Sequence, residues 1–360
     1  MTRFASLLFA LALPSTASAQ AFGAVFTLTN SPTDNAVAVT LRMPFGTLVP
    51  FGQFSTGGTG TGMGLGSQGA MATMADDRFL LAVSPGSDQI SLFRLLFGAF
   101  PIRLDTESTG DRPTSVAVHG NLIYVLNAGA DSVTGFRRHG NGLQAILGAT
   151  YPLSQAASAA AQVGFSPNGR HLVVTERATN RIGVFAVNGN GTLGTVQFQP
   201  SVAATPFGFM FREDGLLVVS EAVGGMPDAS VTSTYRIHSN GTLQVVAGAV
   251  PTTETAACWV AIPRQGTFAY VTNTASGTIS GYAVNAAGQL SLLDANGITG
   301  NLGASARPID FEFDASGRYL FVLDSGNDRL RAFWRRQDGG LDALASNVNV
   351  ADGSAGLLVR

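Results

Sequence analysis

Lysine is missing from all 360 residues, so the 21 basic side chains are arginine throughout. That absence removes Schiff-base chemistry, the serine–lysine dyad and the phosphate-loop lysine together, because each needs a primary amine. Cysteine occurs once, at Cys258, so no internal disulfide forms and stability must come from packing. Charge is sparse as well. Charged residues make up 12% of the chain and the net charge is −2, which argues against a nucleic-acid partner and a strongly acidic one. No stretch of about eighteen uninterrupted apolar residues occurs, so no membrane span is expected.

Residues 1–20 read as a secretory signal. Arg3 supplies the charged start, Phe4–Leu13 the apolar stretch, and Ala17-Ser18-Ala19 the small-residue cleavage site. A secreted or periplasmic chain is expected, with residues 21–360 forming one domain.

Within that domain one phrase returns seven times, an apolar β-branched strand ending in a small polar or acidic residue. The copies are Val25–Asn30, Phe79–Ser84, Leu122–Asn127, His171–Glu176, Gly215–Glu221, Phe268–Asn273 and Tyr319–Asp324. Their spacing of about 40–55 residues, built from strands alone, predicts an all-β, seven-bladed β-propeller. Each repeat reads as four strands, the third closing on Phe93, Phe136, Phe185, Tyr235, Tyr282 or Phe333. Asn-Gly pairs in His139–Gly142, Asn188–Thr192 and Ser239–Thr242 suit the hairpin to the fourth strand. The first repeat begins on a second-type strand and lacks its innermost one. The apolar C-terminal stretch Ser354–Val359 is expected to supply it and close the ring.

The residues Tyr270-Val271-Thr272-Asn273, together with Ser166-Pro167-Asn168-Gly169-Arg170, resemble the YVTN-type lactonase-like propellers. That group includes bacterial 6-phosphogluconolactonases and is similar to fungal carboxymuconate cyclases. The resemblance implies a seven-bladed fold and the possibility of lactone hydrolysis. In the enzymes the first strand of a blade is entered through a segment of the form PHxHxVxFSPDG. Here the matching segment, Ser158–Gly169, holds no histidine, a departure that bears directly on hydrolysis by the family's usual residues.

Meander topology sorts side chains by face. The second-to-third loops and the blade crossings share one face, called upper here, and gather Asn30, Ser84, Asn127, Glu176, Glu221, Asn273 and Asp324. The starts of the innermost strands, Gln68, Arg112, Gln162, Phe207, Trp259 and Arg307, are expected to line its central funnel. The four histidines fall on turns of the lower face, where solvation is the expected state. Glu176 or Glu221 is the candidate general base, since neighbouring carboxylates raise one another's pKa, and Arg307 the candidate oxyanion holder. The bland alternative pairs those glutamates with Arg177, Arg181 or Arg307. Gln68, Arg112, Asn127, Gln162, Phe207, Trp259, Asn273 and Asp324 are candidate substrate contacts; the aromatics could equally be core plugs, and the arginines could tie blade to blade. Calcium on the ring of carboxylates and amides is the one cofactor to weigh; otherwise no metal or cofactor is expected. The functional expectation is a lactonase-like propeller taking a small polar or cyclic carboxylated compound, as a monomer. The alternatives are a non-catalytic extracellular binding or scaffold propeller, and a lyase or cyclase acting on a uronic or muconic acid.

Overall fold

The computed structural model describes residues 23–74 and 78–360; the expected signal segment lies outside them. Seven antiparallel sheets are arranged as blades. Blade 1 orders Ala355–Val359, Gly23–Leu28, Ala36–Arg42 and Leu48–Ser55 from the axis outward. Blades 2 to 7 follow in chain order, with innermost strands Met71–Thr73, Pro113–His119, Ala160–Phe165, Pro206–Phe211, Ala257–Ala261 and Pro308–Phe313.

The repeated phrase forms the second strand of every blade. Its residues are almost uniformly buried because each blade packs on a neighbour through both faces. This is why the phrase reads as a continuous apolar run and not as an alternation. The fourth strands sit on the outer rim and alternate instead, as in Leu48–Ser55 and Leu193–Pro200.

Ring closure follows the sequence expectation. Val25 pairs with Val359, Phe26 with Leu358 and Thr27 with Leu357. The seam is finished by reciprocal amide–carbonyl bonds of 2.7 Å between Ala24 and Arg360.

A recurring irregularity positions the funnel. In blades 3 to 7 the innermost strand bulges against the second strand near its upper end. In blades 5, 6 and 7 the pairs Phe207-Gly208, Cys258-Trp259 and Ile309-Asp310 each oppose a single partner residue. A bulge re-aims side chains that regular pleating would send into the blade interface. It is this device that delivers Phe207, Trp259 and Asp310 to the axis.

Candidate functional site at the upper mouth

The glycine-rich crossing from blade 1 to blade 2 does more than connect. Its end, Ser67-Gln68-Gly69, is threaded across the axis. The Gln68 amide N–H donates to Ala161 O at 3.0 Å in blade 4, and Val116 N–H donates to Gly69 O at 2.8 Å in blade 3. The Gln68 side chain reaches blade 6, donating to Val260 O at 2.8 Å and accepting from Val260 N–H at 3.0 Å. Trp259 donates its indole N–H to Ser67 O at 3.0 Å. Gln68 thus precedes the innermost strand of blade 2 and does not open it, and it spans the channel as a cross-brace. A Cβ on Gly208 would lie 2.2 Å from Gln68 Oε1, so the brace also requires glycine there.

Gln162 performs the same operation between blades 4 and 5, its amide bonding Phe209 O at 2.9 Å and Phe209 N–H at 2.7 Å. Both amides spend their polar groups on backbone.

The second-strand ends are equally enclosed. Glu176 is wholly buried; Oε1 accepts the Ser154 N–H at 2.9 Å, and Oε2 accepts the hydroxyls of Ser154 and of Thr179, the latter at 2.6 Å. Glu221, also wholly buried, accepts from Ser201 Oγ, Ala203 N–H at 3.1 Å, Ser233 Oγ at 2.5 Å and Tyr235 Oη at 3.0 Å. Neither pairs with Arg177, Arg181 or Arg307, so the expected ion pairs are replaced by hydroxyl and amide donors. Asp324 accepts from the Arg307 and Gly326 amides and from Asn327, and forms an ion pair with Arg331 at 2.9 Å. Asn127 accepts from the Gly110 amide and donates to Ser132 and Thr134. Asn273 donates to Thr278 and Ser280, leaving its carbonyl oxygen buried without a partner. Each side chain clamps the upper end of its own blade. Their oxygens do not converge, and among the described residues no three His, Cys, Asp or Glu side chains are grouped as a metal requires. The donor set therefore does not fit calcium.

Arg307 is exposed, and Nη1 bonds the carbonyls of Ala304 at 3.1 Å and Ala306 at 2.7 Å, so it caps its own crossing and its side chain does not tie blade to blade. Phe207 and Trp259 are buried against each other, with centroids 4.9 Å apart, and plug the axis just above the brace.

What remains exposed to a ligand is a group that sequence reasoning considered only as an ion-pair partner. Arg177 directly follows Glu176. Its Nε–H donates to Ala159 O at 2.9 Å, and its guanidinium carbon stands 5.0 Å from the Phe207 ring centroid. It forms no salt bridge among the described residues. Burial is the first cause lowering its pKa; the Cys258 thiol opposes this, and Arg112 adds to the lowering. Nη1 and Nη2 face Gly66, where an added Cβ would lie 3.4 and 3.5 Å away. Arg112 is exposed; its amide donates to Asp88 Oδ1 at 2.8 Å, and its guanidinium forms no salt bridge among the described residues. Cys258 is a protonated thiol, because burial pushes it up to about 11. The mouth thus presents Arg177 and Arg112 beside the Phe207 ring, with Glu176 and Glu221 filled by hydroxyl and amide donors.

The sequence matches the family model described as Lactonase, 7-bladed beta-propeller, over residues 71–223 and 220–356. The chain belongs to that lactonase family. Among solved structures it is similar to the periplasmic gluconolactonase of Pseudomonas aeruginosa, with TM-score 0.73 and 18% identity over 94% of this chain and 99% of that one. A 6-phosphogluconolactonase candidate from Bacteroides fragilis gives TM-score 0.74 and 17% identity, covering 96% and 99%. Identities this low speak for the fold alone. No curated protein matches the sequence.

Other features of this lactonase-family chain lie away from the mouth. A concavity of about 690 Å³ lies on the lower face between blades 4 and 5. There Asp214 is held by Arg212 at 2.7 Å and Arg236 at 2.6 Å, which lower its pKa, while Arg170, also in the lining, forms no salt bridge among the described residues. His171 borders this concavity; contrary to the expectation of a solvated turn it is buried, and desolvation lowers its pKa. No helix of the described residues is long and apolar enough to cross a membrane.

Proposed function

We propose that this propeller, exported by its N-terminal signal, captures a small carboxylated compound, open or cyclic, at the upper mouth. The observation that carries the reading is Arg177, a partly desolvated guanidinium without an acidic partner among the described residues. A guanidinium presents two parallel N–H groups to a carboxylate, and partial desolvation strengthens that pairing. Phe207 beneath holds the plane of the group, and Arg112 adds attraction for an anion.

Hydrolysis is the less supported reading. A lactone carbonyl at Arg177 would find its oxyanion stabilised, but attack needs a base that can hold water. Glu176 and Glu221 are the candidates for that base, yet their oxygens are already filled by blade-internal donors, and Arg307 is tied to two carbonyls. Capture without turnover is therefore the conclusion, with the lactone ring or its opened acid as the chemical class bound.

Isothermal titration with gluconate, glucono-δ-lactone, 6-phosphogluconate and cis,cis-muconate tests it. One or more carboxylates should bind the wild type, and Arg177→Gln should weaken that binding by about 1.5–3 kcal/mol, ten- to hundred-fold. Glu176→Gln should leave affinity unchanged. Lactone turnover abolished by Glu176→Gln in a folded variant would contradict this reading and favour an enzyme.

A further inference from the structure

Two grooves on the lower face are built alike, from the first-to-second turns of neighbouring blades and the third-to-fourth hairpin of the later one. Between blades 4 and 5 the groove carries its own anion, since Asp214 Oδ2 lies 2.7 Å from Arg212 and 2.6 Å from Arg236. Between blades 6 and 7 a concavity of about 550 Å³ has the same construction. Its turn Asp314-Ala315-Ser316-Gly317 matches Arg212-Glu213-Asp214-Gly215. In both, the last glycine has positive φ and donates its amide to the carbonyl three residues back. Ser316 therefore stands where Asp214 stands, and the lining holds three arginines and no Asp or Glu.

Those arginines differ in what already engages them. Arg336 is neutralised by Asp338 and Asp342, which stand outside the lining. Arg335 is fixed in place without being neutralised. Its Nε–H donates to Gly317 O at 2.7 Å, Nη1 donates to Arg336 O at 3.2 Å, and the guanidinium carbon lies 5.4 Å from the Phe268 ring centroid. Arg318 is exposed, and its guanidinium has neither a hydrogen bond nor a salt bridge among the described residues. Backbone joins the two, the Arg335 amide donating to Arg318 O at 2.7 Å. The acid of this turn, Asp314, is taken up by Ser316, the Arg318 and Tyr319 amides and Arg42 at 3.8 Å. Trp334 and Phe268, both half-buried, form the aromatic part of the lining.

We propose that this groove binds a phosphate monoester carried on an aromatic ring. The phosphate dianion balances Arg318 and Arg335, which face no carboxylate, and the ring lies against Trp334 and Phe268. A monocarboxylate leaves one of the two charges uncompensated, and free phosphate leaves the aromatic lining in water. The blade 4–5 groove shows the same recognition performed within the chain, with an acidic oxygen held between two guanidinium groups. The groove lies on the opposite face from Arg177, so the inference does not depend on what the mouth binds.

Isothermal titration with phenyl phosphate at pH 8, where the ester is a dianion, tests it. Phenyl phosphate should bind about tenfold or more tightly than inorganic phosphate or benzoate. Arg318→Gln should weaken it about tenfold or more with an unchanged thermal midpoint, since that guanidinium supports no contact of the fold. Arg170→Gln and Arg177→Gln, equal losses of charge in the blade 4–5 groove and at the mouth, should leave affinity unchanged. The chain has two tryptophans, so the emission change on binding should vanish in Trp334→Phe. Absence of phenyl phosphate binding overturns the proposal, as does benzoate or inorganic phosphate binding equally well. Equal weakening by Arg318→Gln and Arg170→Gln reduces the effect to general charge and overturns it too. An emission change that survives Trp334→Phe but is lost in Arg177→Gln would place the ester beside Trp259 at the mouth, with the same consequence.

Discussion

Asp310 is a carboxyl group walled in at the axis, reached by the Gly356 amide of the closing strand at 3.1 Å and by the Gly69 amide of the crossing. Burial raises its pKa to about 7 against those donors. The folded state therefore holds this proton more tightly than the unfolded chain, whose Asp titrates near 3.9. The resulting stabilisation is complete below about pH 4 and is lost as pH rises through about 7, by up to about 4 kcal/mol. Melting temperature should fall across that window, and Asp310→Asn should flatten the fall and raise the midpoint at pH 8. An unchanged slope would remove Asp310 as its source. Asp214 acts the other way, since its pKa is lowered by Arg212 and Arg236, and its contribution disappears as pH falls below about 4. Glu221 offers a second residue-scale prediction. Its four donors require a pure acceptor, and the amide of Glu221→Gln would set a donor against them. Denaturant unfolding should register a loss of about 2 kcal/mol with carboxylate affinity unchanged.

Two elements hold the disc together, and they differ in how visible they are beforehand. The closing strand is legible because an incomplete first repeat and an unassigned apolar tail of matching length stand at opposite ends of the chain. The seven second strands are legible because burial on both faces writes an uninterrupted apolar run. The brace is not legible. Gly57–Gly69 carries no apolar period, and its contacts with blades 3, 4 and 6 depend on ring geometry that local sequence does not encode. The bulges are equally silent, since one extra residue in a strand leaves the pattern of residue types unchanged. Arg177 escaped because ion pairing with Glu176 looked the simpler role, and only the serine and threonine donors around that carboxylate reveal that the arginine is spare. Removing residues 354–360 should take away Leu357, Leu358 and Val359, about 1.5–3 kcal/mol each, an amount comparable with the net stability of a domain. Scanning calorimetry should then show no cooperative transition, and the unpaired edge should aggregate. A truncated chain that melts like wild type would show that the seam is dispensable.

At the scale of the whole molecule, seven wedges convert distant stretches of chain into two unlike faces. The upper face is clamped blade by blade through polar strand ends and leaves Arg177 and Arg112 without a salt bridge among the described residues. The lower face carries Asp214 paired with Arg212 and Arg236 between blades 4 and 5, and exposed phenylalanine tips on blades 1 and 2. The brace crosses the axis between them, bonding blades 4 and 6 through Gln68. The most direct measurement is a crystal structure grown with a saturating carboxylate identified by titration. The account predicts its carboxylate lying bidentate on Nη1 and Nη2 of Arg177, above Phe207 and beside Gly66. A compound bound in the lower concavity between blades 4 and 5, with Arg177 untouched, would contradict it.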